Sequence, residues 1–370
     1  MVFASYENPM VYDDLSGPNW WTWLTLHLFV DQKFMTMFSV LFGAGMCIFM
    51  DRAQAKSNNA WGLQVSRLMW LFIIGMFHAY LIWYGDILVT YAIAGFAVTF
   101  VRKWKPWILF SLGIIVAICI PIIIVQLFNL TLPYWPEEEI ARMHAETDLT
   151  SATNVAEIAA YTGTWVGQLP HRVVTSIGLQ LFAIPFFSFW HTVGLMMIGI
   201  AAYRWRILSA TRSMRFYVSM VAVGLMVGLP LISIGVWYKH QHGWDMELLR
   251  FTDSKWNAVG GGFVAMAWIG MVMLICKHSL LPSVRKALAA VGRMAFTNYI
   301  GQSVICSLIF YGHGLGWFNK VERVELLLIV AAIWTFQIVT SMLWLRWFRF
   351  GPLEWLWRSA TYVQFQPMKK

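Results

Sequence analysis

Charged residues are scarce in this sequence. Asp, Glu, Lys and Arg account for 12% of its 370 residues, whereas an average soluble domain contains about 25% of them. Apolar residues account for 59%, and the mean hydropathy is +0.60. A water-soluble fold could not cover so much apolar surface with so few charges. The composition therefore excludes an ordinary soluble domain and predicts an integral membrane protein.

Paired cysteines, metal-ligand patterns and familiar catalytic motifs are missing as well. No P-loop, GxSxG or HExxH motif occurs, and residues 1–20 lack the charged start and apolar core of a signal peptide. The four cysteines lie in apolar segments without CxxC spacing: Cys47, Cys119, Cys276 and Cys306. We therefore expect no disulfide, no metal site and no permanently bound cofactor.

What the sequence does contain is a series of long apolar runs. A helix needs about 20 mainly apolar residues to span a bilayer. Nine segments meet or approach that length: 34–50, 68–84, 87–101, 107–130, 185–203, 215–238, 256–276, 293–311 and 324–345. The predicted fold is an all-α, polytopic membrane helical bundle of about nine transmembrane helices, which forms a single integral-membrane domain over residues 1–370.

Lysine and arginine set the orientation of these spans. The formal net charge is +9, yet no run of five basic residues indicates nucleic-acid binding. Alternate loops hold 19 of the 27 basic residues, which places those loops and the tail 346–370 in the cytoplasm and residue 1 outside. The segment 131–172 carries six acidic and two basic residues and is predicted to be a periplasmic loop. We therefore expect a multi-pass protein of the bacterial inner (cytoplasmic) membrane with a cytoplasmic C-terminus.

Two stretches in and after this loop have some helical character. The pattern of residues 150–161 is compatible with a short amphipathic helix on the membrane surface. The apolar run 173–182 either extends the fifth span or forms an interfacial segment, and the sequence does not decide between these two.

Four stretches carry a family resemblance that covers most of the chain. They are KFMTMFSVLFGAG (33–45), GMFHAYLIWYGDIL (75–88), GRMAFTNYIGQSVICSLIFYGHGLG (292–316) and RFGPLEWLWRSATY (349–362). Their order and spacing resemble the YeiB-like family of bacterial inner-membrane proteins, domain of unknown function 418. The resemblance implies a remote similarity to transmembrane acyltransferases, which pass an acyl group from a cytoplasmic donor to a sugar or lipid on the far side.

The start of the chain departs from that family. Members usually begin with a further helix that carries a Leu-Asp followed closely by an Arg-Gly, and Met1 falls just past the expected end of that helix. An absent or truncated first helix should leave an apolar groove exposed along the span 34–50. A site that needs the Asp or Arg of that helix would then be incomplete here.

Ionisable residues at membrane depth are the candidates for chemistry, because an insertion penalty of about 2.5–3.5 kcal/mol opposes each of them. His78 lies in the second span, and Asp86 follows eight residues later, just after Gly85. His78 is the candidate general base, since neutral imidazole tolerates burial and titrates near neutral pH. Asp86 is the second catalytic candidate. The alternatives are that Asp86 is an N-cap of the third span and that His78 donates one hydrogen bond to a neighbouring helix.

Five further residues are candidate substrate-binding groups: Lys33, Asp31, Asn298, Gln302 and Arg293. Lys33 could reach an anionic ligand or Asp86, although a lysine at this depth often snorkels to water. Asn298 and Gln302 share a helix face, where they could orient a carbonyl or a sugar hydroxyl, or simply join two helices. Arg293 at the cytoplasmic mouth could clamp a phosphate or serve only as an orienting charge.

The function predicted from these features is acyl transfer across the membrane. An acyl-CoA-like donor would act from the cytoplasm, and the acceptor would be a small-molecule, lipid or glycan hydroxyl in the periplasm or envelope. A tunnel from the Arg293 side to the His78 side would favour this enzyme. The alternative is a transporter or exporter of a small solute, which the lack of an internal repeat disfavours. A third interpretation is a scaffold whose polar residues satisfy one another. The lipid bilayer is the expected partner, and the sequence does not indicate an oligomeric state.

Overall fold

The apolar segments of the sequence are helical in the computed structural model of the protein, which describes residues 9, 15–56, 59–145, 151–244 and 254–370. In chain order the helices are α1 (Gly17–Phe29), α2 (Lys33–Lys56), α3 (Ala60–Phe77), α4 (Leu88–Val101), α5 (Pro106–Ile114), α6 (Ile120–Thr131), α7 (Glu137–Ala145), α8 (Ala152–Thr162), α9 (Leu169–Gly178), α10 (Phe189–Arg204), α11 (Met214–Gln241), α12 (Ser254–Lys277), α13 (Pro282–Arg293), α14 (Ala295–Phe310), α15 (Arg323–Trp347) and α16 (Pro352–Tyr362). Within these described ranges the backbone forms no strand, and its extended pairing is limited to an isolated bridge between Phe348 and Lys369. The predicted all-α class is confirmed.

The nine predicted spans all coincide with apolar helices. Seven helical segments of the described chain are long and apolar enough to cross a membrane, and α4 and α14 are shorter apolar helices. Large apolar side chains such as Leu328, Trp334 and Phe336 on α15 are exposed at the surface of the bundle. A bilayer solvates such a surface, whereas water does not. The chain is therefore a multi-pass membrane protein.

Three helices contain a stretch of π-helical hydrogen bonding. These stretches are His78–Ile82 after α3, Ile115–Cys119 between α5 and α6, and Leu179–Ser188 between α9 and α10. The last of them makes Leu169–Arg204 one continuous helical segment. The apolar run 173–182 therefore extends the fifth span and does not form a separate interfacial segment.

Several boundaries differ from the sequence prediction. The helix α1 was not predicted as an element; its 13 residues reach only about 20 Å, which is too short to cross a bilayer. Residues 131–172 are not a plain loop, because they include α7 and α8 and the start of α9. The helix α8 corresponds to the amphipathic helix expected over 150–161.

The helix α10 lies at the centre of the bundle, where glycines allow close packing. A Cβ atom at Gly199 would overlap the carbonyl oxygen of Val40 on α2, and one at Gly43 would overlap the carbonyl oxygen of Met196 on α10. The buried core around this contact includes Met46, Met196 and side chains of α3 and α4. Small residues let the two backbones approach closely, which is how helices commonly associate in membranes.

Successive spans run in opposite directions, so the bundle has two ends. We define the tail face as the end with α16 and the connections 102–105 and 205–213, and the loop face as the end with the connections 83–87 and 132–168. On the tail face, α16 packs on the start of α3, where Trp357 Nε1 donates to the Arg67 carbonyl at 2.8 Å. The segment 346–370 thus contains a packed helix.

An apolar stripe is exposed along α2, in the segment 34–50 for which a groove was predicted. Phe34, Phe38 and Leu41 recur at helical spacing and are 40–51% exposed. Such a stripe is the usual surface of a helix that contacts lipid. His78 does not open onto this stripe, because its side chain is only 1% exposed.

Candidate functional site

A reversal of the chain at the loop face brings His78 and Asp86 together. The helix α3 changes to π-helical bonding at His78, and the chain becomes extended at Trp83. The helix α4 then starts at Leu88 and runs back through the bundle. As a result, His78 Nδ1 lies 2.8 Å from Asp86 Oδ1, with the two side chains 1% and 2% exposed.

The hydrogen bonds of this pair favour one tautomer of His78. Asp86 Oδ2 accepts the backbone N–H of Val89 at 2.8 Å, so the carboxylate also caps the start of α4. An ionised carboxylate only accepts, which means that His78 Nδ1 donates to it and that Nε2 of the neutral ring has a free lone pair. Nε2 is buried and has no hydrogen-bond partner in the described part of the chain. A carboxylate that orients an imidazole in this way leaves it able to act as a general base.

Two aromatic rings border the pair, and the sequence analysis did not select either of them. The Tyr299 ring lies 5.1 Å from the His78 ring, and the Trp83 ring lies 6.4 Å from it edge-on. The Tyr299 hydroxyl accepts the backbone N–H of Ile87 at 3.2 Å. Their closeness in sequence to candidate residues could have identified them, since Tyr299 follows Asn298 directly and Trp83 lies three residues before Asp86.

The same two rings also line a cavity of about 370 Å³ between α14 and α15. Its polar lining groups include Gln302 and Ser303, while most of the wall is apolar. His78 is not part of this lining. Trp83 and Tyr299 therefore stand between the His78–Asp86 pair and the cavity that contains the predicted substrate-binding residue Gln302.

The structure places Lys33 away from the pair. Lys33 is fully buried and donates to the His27 carbonyl at 2.5 Å and to Asn257 Oδ1 at 2.6 Å. It neither snorkels to water nor bonds to Asp86. Asp31 lies 3.5 Å from His27 Nδ1 and lines a different cavity, of about 350 Å³.

Asn298 joins two helices. Its Nδ2 donates to Ser341 Oγ on α15 at 3.0 Å and to the Val291 carbonyl at 3.2 Å, and its own carbonyl accepts from Gln337. The side chain faces the bundle interior, as predicted, yet it points to α15 and not to His78. Asn298 thus contacts α15, whereas Gln302 lines the cavity, although both residues lie on α14.

Arg293 belongs to the tail face. It is the last residue of the amphipathic helix α13, which ends before α14 begins, so it lies outside the eighth span. It donates to the Arg349 carbonyl at 3.0 Å and lines a cavity of about 510 Å³. His78 is not part of the lining of this cavity.

A buried arginine at the loop face supports the His78 turn from the opposite side. Arg172 is fully buried and donates to the Leu81 carbonyl at 2.7 Å and to Gln168 Oε1 at 2.8 Å. One turn later Ser176 Oγ donates to the Ala79 carbonyl at 3.1 Å. A π-helical turn changes which backbone carbonyls accept a backbone hydrogen bond. Side chains of α9 donate to two carbonyls of this turn, those of Leu81 and Ala79. Arg172 was counted only as a loop charge in the sequence.

The aromatic residues beside Arg172 are held neutral. Burial raises the pKa of Tyr84 to about 12 and also raises the pKa of Tyr161 and of Tyr311. Burial, followed by the charge of Arg172, lowers the pKa of His313. Tyr161, Tyr311 and His313 interact electrostatically with the guanidinium, and in the described chain no carboxylate lies within salt-bridge distance of it.

Comparison with known proteins gives the family. A family model described as "Protein of unknown function (DUF418)" matches residues 202–364. The uncharacterized protein YxaH of Bacillus subtilis (strain 168) is 33% identical over 93% of this chain and 83% of its own length. The uncharacterized protein YeiB of Escherichia coli (strain K12) is 32% identical over 97% of this chain and 89% of its own length. No solved structure matches. The chain belongs to the DUF418 family of proteins of unknown function.

Proposed function

We propose that this protein is a transmembrane acyltransferase in which His78 is the general base. The observation that supports this most is the buried His78–Asp86 pair, whose Nδ1–Oδ1 distance is 2.8 Å and whose Nε2 has no partner among the described residues. The pair has the geometry that activates a hydroxyl group. The remote similarity to transmembrane acyltransferases implied by the sequence agrees with it.

The proposed step transfers the acyl group from the sulfur of a thioester to the oxygen of the acceptor. The acceptor hydroxyl gives its proton to His78 Nε2 while its oxygen attacks the acyl carbonyl carbon of an acyl-CoA-like donor. A C–O bond forms, the C–S bond breaks, and the leaving thiolate takes the proton from the imidazolium. Asp86 stabilises the imidazolium during this transfer because its carboxylate accepts from Nδ1.

The acceptor is proposed to bind in the cavity lined by Trp83, Tyr299, Gln302 and Ser303. Its mostly apolar wall suits a lipid or a lipid-linked glycan, and its amide and hydroxyl groups can orient the reacting hydroxyl. By the positive-inside distribution, the loop face is periplasmic and the tail face is in the cytoplasm of a bacterium. The donor would then enter from the tail face, and the acceptor from the loop face.

Buried groups without partners speak against a simple scaffold. His78 Nε2, Arg67 Nη1 and both polar atoms of Gln64 are buried without a hydrogen bond in the described chain. An unpaired buried polar atom costs about 1–3 kcal/mol, so a protein selected for stability alone would not retain several. Such atoms are typical of sites that bind or react with a ligand.

The test uses the full chain in proteoliposomes. Acetyl-CoA and palmitoyl-CoA labelled in the acyl group are supplied on one side, and a bacterial envelope extract of lipids and glycans supplies acceptors. Transfer of label to the extract should be lowered about 10²- to 10⁴-fold by His78→Ala and by Asp86→Asn. His278→Ala, at an exposed histidine of the tail face, is the matched control and should transfer normally. Full transfer by His78→Ala would refute the proposal, and solute uptake without transfer would favour the transporter.

A further inference from the structure

The tail-face cavity of about 510 Å³ is lined by an unusual number of cations. Five basic side chains reach it: Arg52, Lys56, Arg67, Arg293 and Arg358. Glu354 is the one acidic residue among the lining residues that the structure describes. None of the five cations lies within 4.0 Å of a carboxylate in the described part of the chain.

Glu354 does not neutralise these cations, because its oxygens are already used. Oε1 accepts the backbone N–H groups of Phe296 at 2.7 Å and of Thr297 at 3.0 Å, and Oε2 accepts the Thr297 hydroxyl at 2.5 Å. The carboxylate thus caps the N-terminus of α14 and offsets the positive end of that helix dipole. The net charge facing the cavity stays positive.

Arg67 is the central group of this cavity. Its guanidinium lies 4.7 Å from the Phe49 ring centre and 4.8 Å from that of Trp357, so two aromatic faces hold its plane. Its Nη1 is buried without a hydrogen-bond partner in the described chain. One turn before it, Gln64 is fully buried, and neither of its side-chain polar atoms has a hydrogen-bond partner among the described residues.

Topology alone does not explain this arrangement. An orienting arginine needs only to lie near the membrane surface on the correct side, where water hydrates it. Arg67 instead carries a buried N–H without an acceptor in the part of the chain that the structure describes, which is costly unless a ligand accepts from it. A guanidinium fork with neighbouring lysine and arginine side chains is the usual recognition element for phosphate.

We propose that this cavity binds a phosphate-bearing anion, with Arg67 as the buried anchor and Arg52, Lys56 and Arg358 around it. The phosphate could belong to a soluble nucleotide-like molecule or to the headgroup of an anionic phospholipid. The proposal of phosphate binding is argued only from the residues that line the cavity. The assignment of that phosphate to the acyl donor rests on the proposed acyl transfer. In that case the site holds the phosphates of the acyl-CoA-like donor at the tail face.

Binding, and not turnover, tests the site. The full chain in an uncharged detergent is titrated with coenzyme A and with pyrophosphate by calorimetry, and its binding to phosphatidylglycerol vesicles is compared with that to phosphatidylcholine vesicles. Arg67→Gln should weaken binding of the preferred probe about 10- to 100-fold, the loss expected for a charge-assisted hydrogen bond. Arg206→Gln, an exposed tail-face arginine outside the cavity, should bind normally.

The outcomes distinguish a soluble phosphate from a lipid headgroup, and the phosphate-site proposal from the acyl-transfer proposal. Tight binding of coenzyme A or pyrophosphate identifies a soluble phosphate, whereas preference for phosphatidylglycerol alone identifies a lipid headgroup. If Arg67→Gln does not fold, the double variant Arg52→Gln/Arg358→Gln should still weaken binding several-fold. If the wild type and these variants bound each probe with the same affinity, the proposed phosphate site would be refuted. His78→Ala should bind normally, so loss of transfer with retained binding concerns only the acyl-transfer proposal.

Discussion

At the scale of single residues, burial and the neighbours of His313 disfavour its protonation. Gln168 Nε2 lies 3.4 Å from His313 Nδ1, and an amide nitrogen can only donate. The same Gln168 accepts from the Arg172 guanidinium at 2.8 Å. A proton on His313 Nδ1 would face an N–H donor and a nearby cation. Burial, and then Arg172, accordingly lower the pKa of His313.

This lowered pKa predicts a loss of stability in mild acid. Below about pH 6.5 the unfolded chain protonates this histidine while the folded chain does not, so the unfolded state binds more protons. The contribution is complete above pH 6.5 and is lost as the pH falls through the lowered pKa of the folded protein. His313→Gln should therefore show a shallower fall of Tm between pH 7.5 and 5.5 than the wild type.

The measurement is thermal unfolding in detergent at several pH values. His278→Gln, at an exposed histidine, is the matched control and should follow the wild-type curve. Parallel curves for all three proteins would show that His313 does not contribute to the acid sensitivity.

Residue chemistry explains why part of the candidate site could be predicted. His78 and Asp86 stand out because ionisable groups are rare in apolar segments. Their contact could not be predicted, since an unbroken helix would place residues eight apart about 80° from each other. Arg67 directly precedes the predicted span 68–84, where an arginine normally orients the chain, and Arg172 ends the predicted loop 131–172. Their surroundings come from distant parts of the sequence, because Trp357 of α16 packs against Arg67 and Arg172, itself on α9, donates to the Leu81 carbonyl.

At the scale of elements, the contact between α2 and α10 depends on the absence of side chains. Gly199→Ala places a Cβ against the Val40 carbonyl, which forces the helices apart and should cost about 1–3 kcal/mol. Gly262→Ala on α12 is the matched control, because a Cβ there meets no atom within 4 Å. Melting of the two purified variants should give a clearly lower Tm for Gly199→Ala alone. Similar Tm values would mean that the contact is loose.

Element positions were predictable where length and hydropathy decide them. Seven helical segments of the described chain meet that criterion, and α4 and α14 are apolar but shorter. The helix α1 was missed because its tryptophan-rich sequence resembles an interfacial segment, and its Asn19 Oδ1 accepts the Val324 N–H from a helix about 300 residues away. The π-helical stretches depend on contacts between helices, such as Ser176 with the Ala79 carbonyl, and a single helix sequence does not specify those.

At the scale of the whole molecule, the charge distribution predicts the orientation. The tail face carries most of the basic residues, so a reporter fused after Lys370 should report cytoplasm and one inserted near Glu138 should report periplasm. Alkaline phosphatase and green fluorescent protein fusions give opposite signals at the two positions. The reverse pattern at either position would refute the orientation, and with it the side from which the donor is proposed to enter.

The π-helical turn at His78–Ile82 gives the end of α3 an extra residue that a change of hydrogen bonding could shift along the chain. A π-helical turn accommodates one residue more than an α-helical turn. If its hydrogen bonds shifted to the α-helical pattern, the residues that follow would advance by one position, which is a rotation of about 100° and a rise of about 1.5 Å. Trp83 is the first residue after this turn, and its ring separates His78 from the neighbouring cavity. A one-residue shift at the end of α3 would thus displace the Trp83 ring, one of the two rings that border both His78 and the cavity, while every membrane span stays in place.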